Sequence, residues 1–179
     1  MAIIVNLIGA PGAGKSTGAA YVFAMLKMNG VNAEYVGEFA KDKVWEGAQV
    51  ALKHQEYIFG KQSFKQARCA DCVDVVVTDS PLLLSIFYNR FESLGDAFNQ
   101  TVLNTFNSYD NLVYFIERVK EYNPSGRMQT KEESDKISED LKQLLTKYNI
   151  SYNVIRGQID GYNSILTDIY KKLNIVPSV

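Results

Sequence analysis

Ile3-Ile4-Val5-Asn6-Leu7-Ile8-Gly9-Ala10-Pro11-Gly12-Ala13-Gly14-Lys15-Ser16-Thr17 is an apolar run that empties into a glycine-rich turn and closes on Lys-Ser-Thr. The run reads as a buried strand. Gly9, Gly14, Lys15 and Ser16 fill G-x-x-x-x-G-K-[ST], a pattern in which backbone N–H groups of the loop and the next helical turn converge on phosphate oxygens. In such an arrangement the Lys15 ammonium faces the β- and γ-phosphates, and the Ser16 hydroxyl is one ligand of a Mg²⁺ that bridges them. A chance match in a chain of 179 residues has a probability of about 1%. The flanks agree with the motif, because residues 18–28 are helix-like and end at Asn29-Gly30. Pro11, Gly12, Ala13, Gly14, Lys15, Ser16 and Thr17 are therefore the candidate nucleotide-binding residues, and a glycine turn without a ligand is the alternative.

Outward from this unit, strand and helix patterns alternate. Residues 31–37 read as a second strand ending at Glu38, and residues 39–70 as two helices broken near Glu46-Gly47. Residues 73–78 form the most strand-like run, ending at Asp79, and such β-branched runs belong to a parallel sheet covered on both faces. Pro81 is expected to open a helix to about residue 93, with Gly95 as its stop and Asp96 capping another helix to about 109. A fourth strand spans 112–116. A polar stretch at 119–133, with Pro124, Gly126 and Arg127, reads as a flap. A helix with Leu141, Leu144 and Leu145 on one face follows, then a strand at 152–155, Arg156-Gly157, and a last helix to about 173. Right-handed crossovers force five such strands into one parallel sheet, an α/β fold with helices on both faces, and the length suits one domain.

Ligands of an open parallel sheet sit beyond the carboxyl ends of its strands, which singles out the residues that end each strand. Asp79 has the position of an acid that holds Mg²⁺, although a helix cap is the plain alternative. Glu38 is placed to accept or orient the proton of an acceptor hydroxyl, unless it only complements the dipole of the next helix. Arg118 and Arg127 bracket the flap, with Lys120 and Lys131 beside them, and their planar forks suit a transferring phosphoryl group. The alternative is a solvated charged loop. Phe39, Trp45, His54, Tyr57, Phe59 and Phe64 supply rings that either stack a nucleobase or fill the core, and Tyr88 and Arg90 are further acceptor-side candidates.

Hydrophobic residues make up 46% and charged residues 22% of the chain, with a net charge of -1, which gives no bulk electrostatic reason to bind long nucleic acid. No apolar segment reaches the length of a membrane span, and the first strand follows Met1 without a secretory signal, so an intracellular, cytoplasmic protein is expected. Cys69 and Cys72 form a lone C-x-x-C with one histidine elsewhere, too few soft ligands for a zinc site; reduced structural thiols are expected over a redox pair.

On these residues the sequence resembles the P-loop kinases of nucleosides and nucleotides over nearly its whole length. The resemblance implies a sheet ordered 2-3-1-4-5, an arginine-bearing lid after the fourth strand, and an adenine-contacting loop after the fifth, here Arg156-Gly157. Within the group the chain looks most like the branch that includes the nicotinamide riboside kinase domain of NadR and related phage proteins. That branch carries E-x-A-R after the second strand, matched by Glu38-Phe39-Ala40-Lys41, and a glutamine in the helix before the third strand, matched by Gln62. Lys41 stands in place of the arginine, and Asp79-Ser80-Pro81 in place of a D-T-D type sequence. The expected activity is Mg²⁺/ATP-dependent transfer of a phosphoryl group to a nucleoside, nucleotide or related small molecule. Lys15, Glu38, Asp79, Arg118 and Arg127 would do the chemistry, and Glu38, Phe39, Lys41, Trp45, Gln62 and Tyr88 would bind the acceptor. Two alternatives are a phage-type kinase of DNA ends or hydroxymethylated bases, and a nucleotide-dependent switch, for which a guanine-reading N-K-x-D is lacking.

Overall fold

The computed structural model describes residues 2–92, 94–122 and 130–176, with the side chains of 90–92 left aside. In chain order the elements are β1 (Ile3–Ile8), α1 (Lys15–Met28), β2 (Ala33–Val36), α2 (Phe39–Trp45), α3 (Gln49–Lys53) and α4 (Gln55–Ala70). There follow β3 (Val75–Thr78), α5 (Leu84–Glu92), α6 (Gly95–Asn107), β4 (Asp110–Glu117), α7 (Lys131–Lys147), β5 (Asn153–Arg156) and α8 (Ile159–Leu173). The five strands form one parallel sheet in the order β2-β3-β1-β4-β5, as expected. β1 and β3 are buried along their whole length, and β1 pairs with β3 from Ile3 opposite Val75 to Asn6 opposite Thr78. A strand buried on both faces gains from every side chain, so no polar alternation marks it. The edge strand β5 differs from the expectation of two covered faces: only Ile155 is buried in it, while Asn153, Val154 and Arg156 face solvent.

By its internal contacts the chain falls into two compact units. One comprises the segment up to Asn6 together with Glu34–Leu112, the other Leu7–Ala33 together with the chain from Val113 onward. In the first, Ala2, Ile4, Val36, Ala70 and Val76 form a packed cluster. In the second, α1 lies against α8. α8 buries Tyr162, Ile165, Leu166, Ile169 and Tyr170, the i, i+3, i+4, i+7, i+8 stripe of a helix with one apolar face. α1 meets it through small residues: a Cβ at Gly18 would stand 2.5 Å from the Tyr162 ring.

Several boundaries depart from the sequence reading. The segment between β2 and β3 contains three helices, with a second break at His54, because α2 and α3 bury no residue and nothing holds them in one axis. The helix after Asp79 begins at Leu84 instead of Pro81. Leu84, Ser85 and Ile86 donate to the carbonyls of Pro81, Leu82 and Leu83, a tight turn that buries Leu82 and Leu83 before the helix proper. Asp96 is no cap. Leu94 occupies that position, and buried Asn89 stitches the junction by accepting from the Leu94 amide at 2.9 Å and donating to Asn99 Oδ1 at 2.8 Å. Residues 131–133, expected in the flap, already belong to α7, whose start is fixed by a reciprocal capping box between Thr130 and Glu133. Of the three leucines on α7, Leu141 and Leu145 are buried and Leu144 is half-buried. The strand expected at 152–155 lies one residue further on, those expected at 31–37 and 73–78 are shorter, and the one expected at 112–116 is longer, running over Asp110–Glu117. Neither cysteine is in a disulfide, Cys69 lying in the last turn of α4 and Cys72 just after it, and among the described residues no group of three or more His, Cys, Asp or Glu could form a metal cage. No described helix is long and apolar enough to cross a membrane.

Candidate active site

The phosphate loop connects β1 to α1 within the second unit. Two glycines, one in this loop and one packed against it, are there for different reasons. Gly14, the N-cap of α1, has φ 100, a left-handed conformation costly for any residue with a Cβ. Gly157, from the loop after β5, is a matter of space: a Cβ there would stand 2.1 Å from the Ala13 carbonyl oxygen. Gly14 supplies no side-chain cap to α1, and the dipole of that helix favours an anion at this end. Lys15 Nζ lies on the carbonyl oxygens of Gly9 (2.9 Å) and Ala10 (3.1 Å), which folds its charge back over the loop.

Beside the loop is a cavity of about 750 Å³, lined by Gly12, Ala13, Gly14 and Thr17, by Tyr21 of α1, by Lys120 and Glu121 after β4, and by Gly157, Gln158, Ile159, Asp160 and Tyr162. Phosphate cradle and base-sized space thus adjoin. Gly157 lies where the adenine-contacting loop is expected, whereas Arg156 is exposed and does not line the cavity. Tyr21 and Tyr162 hold centroids 6.1 Å apart, and the Tyr21 hydroxyl donates to Asn163 Oδ1 at 2.8 Å, tying α1 to α8. A hydrogen bond from Gln158 holds the Asp160 carboxyl below its usual range. None of Tyr21, Gln158, Ile159, Asp160 and Tyr162 was singled out from the sequence, where they read as an ordinary helix start and helix faces.

Arg118 follows β4 directly. Its Nη1 donates to Ser134 Oγ at 3.0 Å and its Nη2 pairs with the Asp135 carboxylate, so α7 holds the guanidinium, which also lies 5.3 Å from the Tyr122 ring centroid. Ser134 in turn donates to the Pro11 carbonyl at 2.9 Å. Arg127, with the rest of 123–129, lies outside the described residues.

The acid candidates belong to the first unit. Asp79, buried at the end of β3, accepts a hydrogen bond from the Tyr35 hydroxyl of β2. Burial, then the Asp79 charge and hydrogen bond, then Glu38, push the Tyr35 phenol far above its ordinary value, so it stays a donor. Thr78 braces the same region: its Oγ1 donates to the Val36 carbonyl at 2.7 Å and accepts from the Ser80 amide at 3.1 Å. Glu38 is the N-cap of α2, yet its carboxylate makes no capping bond to that helix. The loop carrying it is clamped instead by Gln62, which is 4% exposed, accepts from the Phe39 amide (2.9 Å) and donates to the Gly37 carbonyl (3.4 Å); Lys65 Nζ reaches the same carbonyl at 2.9 Å. Gln62 therefore braces the Glu38 loop through its amide.

The remaining acceptor candidates scatter. Phe39 stacks edge-on against Tyr57 at 5.5 Å, Lys41 is exposed on α2, Trp45 is 75% exposed, and Tyr88 packs against Phe87 at 5.0 Å. Arg90 lies outside the described side chains. Phe64 is 68% exposed, so neither it nor Trp45 fills the core.

Taken one by one, the side chains named for Mg²⁺, Ser16 in the second unit and Asp79 in the first, have the chemistry the motif implies. Ser16 hydroxyl and Asp79 carboxylate are hard oxygens of the kind Mg²⁺ takes, and Mg²⁺ held partly by phosphates needs no cage of protein side chains.

Comparison with known proteins agrees with this architecture. A solved structure of NadR protein in complex with NR superposes with a TM-score of 0.76 at 14% identity, covering 99% of this chain; the chain spans 53% of the length of that one. Thymidylate kinase from Ehrlichia chaffeensis superposes with a TM-score of 0.62 at 13% identity, covering 96% of this chain and 98% of the other. At such identities the likeness is one of fold. No curated protein matches in sequence. A family model described as AAA domain matches residues 4–161, and with its phosphate loop between β1 and α1 the chain belongs to that family.

Proposed function

We propose that the protein is a Mg²⁺/ATP-dependent phosphotransferase acting on a nucleoside, a nucleotide or a related small molecule. One observation carries the reading: the phosphate loop, with Lys15 folded over it, opens onto a cavity of about 750 Å³ walled by Gly157–Asp160, room for a nucleotide's phosphates and base side by side. The shared fold with a thymidylate kinase supports it.

In this reading the loop amides and Lys15 hold the donor phosphates, and Ser16 and Asp79 serve Mg²⁺. A Mg²⁺ held there would supply charge neutralisation to the donor phosphates. Tyr35 orients Asp79 by donating to it. The acceptor oxygen attacks the γ-phosphorus, the bond to the β–γ bridging oxygen breaks, ADP leaves, and Glu38 takes the proton of the acceptor hydroxyl. Arg118 stabilises the β4 exit next to the loop, and Arg127 is the candidate for closing over the transferring group.

The test is incubation with Mg²⁺/ATP and a panel of nucleosides, monophosphates and oligonucleotides, read by mass for a product heavier by one phosphoryl group. Glu38→Gln should bind ATP as the parent does while transfer falls roughly 10²- to 10⁴-fold. Full transfer by that variant would remove Glu38 from the chemistry, and phosphorylation of the oligonucleotide alone would reassign the acceptor.

A further inference from the structure

Two peptide units of the phosphate loop are gripped from outside it. Ser134, wholly buried in α7, accepts from Arg118 Nη1 at 3.0 Å and donates to the Pro11 carbonyl at 2.9 Å. A guanidinium can only donate, so the single hydroxyl proton is committed to Pro11. From α8, the Tyr162 hydroxyl donates to the Gly14 carbonyl at 3.0 Å, an oxygen that also accepts the Gly18 amide at 2.8 Å. Burial pushes the Tyr162 phenol up, which keeps it a donor.

The described peptide bonds are trans, so the C=O and N–H of one unit point in opposite directions. Pinning the Pro11 carbonyl therefore sets the Gly12 N–H, and pinning the Gly14 carbonyl sets the Lys15 N–H. Both units adjoin a glycine with positive φ, Gly12 at 80 and Gly14 at 100, where a peptide flip meets little steric resistance. A flipped unit would offer a carbonyl oxygen to a phosphate and repel it.

We propose that Ser134 and Tyr162 are positioning residues that keep these two amides turned toward the donor phosphates, so that α7 and α8 preorganise the anion cradle. This deepens the proposed function and rests on it. It also gives Arg118 a role apart from the transferring phosphate, as the donor that commits the Ser134 proton to the loop.

The experiment measures ATP affinity by calorimetry for the full chain and for Ser134→Ala, Ser134→Thr and Tyr162→Phe, with melting temperature beside each. Removing either hydroxyl should weaken ATP binding roughly three- to tenfold, the worth of one hydrogen bond, and Ser134→Thr should restore it. Tyr162→Phe keeps the ring against Gly18 and carries the test if Ser134→Ala does not fold. Parental affinity in Tyr162→Phe, or a Ser134→Thr variant as weak as a folded Ser134→Ala, overturns the positioning role and leaves the kinase reading intact. A parent protein that binds no ATP overturns both.

Discussion

Gly157 and Gly60 make opposite statements about the same residue type. A methyl group at Gly157 would stand 2.1 Å from the Ala13 carbonyl oxygen, a backbone atom that yields only if the phosphate loop itself moves. Gly157→Ala should therefore lower stability by about 1–3 kcal/mol and weaken nucleotide binding with it, as read by chemical denaturation and calorimetry. Gln62 teaches a related lesson about polar residues. The resemblance alone put it among the acceptor-binding residues, and in the fold its amide spans the Gly37 carbonyl and the Phe39 amide. A glutamine's sequence neighbours do not reveal which backbone groups it will find 25 residues away.

At the scale of elements, α4 contrasts with the two short helices before it. It runs 16 residues and buries Gln55, Ile58, Gln62, Gln66 and Ala70, a stripe at helical spacing in which polar residues do core work. Gly60 sits in its interior, where a Cβ would meet no atom within 4 Å beyond its chain neighbours and its own helix backbone. Gly60→Ala should raise stability by roughly 0.5–1 kcal/mol without touching activity, measured as a shift in denaturation midpoint at constant slope. α2 and α3 bury nothing and leave Val44, Trp45 and Val50 exposed. A cavity of about 720 Å³ lies along this segment, between Gly47–Ala51 and His54, Glu56 and Tyr57. The sequence reads there as two helices broken near Glu46-Gly47, but with no core face to mark them the second break at His54 was not legible.

For the whole molecule, the buried phenols set a limit on the alkaline side. Tyr114, fully buried in β4, donates to Asp168 at 2.8 Å, and burial, then that bond and charge, push its pKa far up; Tyr35 is raised for like reasons beside Asp79. A raised folded-state value means that the folded chain holds protons the unfolded chain gives up. These phenols contribute fully below the ordinary tyrosine value of about 10, and stability falls as pH rises above it. Denaturation midpoints should drop progressively above about pH 10, and Tyr114→Phe should make that drop shallower. An equal slope in the variant would show that Tyr114 does not carry the effect.

The first strand, the phosphate loop, the helix after it and the single parallel sheet were legible because they are written in contiguous residues or in the alternation of buried strands with helices, whereas the order 2-3-1-4-5 came only with the resemblance to the P-loop kinases. The positions of Glu38 and Asp79 at strand ends followed from the same grammar. What grips the loop was not legible: Ser134 reaches Pro11 across 123 residues and Tyr162 reaches Gly14 across 148. One serine in a capped helix and one tyrosine on an apolar stripe look like any others in the sequence. Only the packing of α7 and α8 decides which carbonyl each hydroxyl meets, because a hydrogen bond selects its partner by distance and direction in space, and neither is encoded in local spacing along the chain.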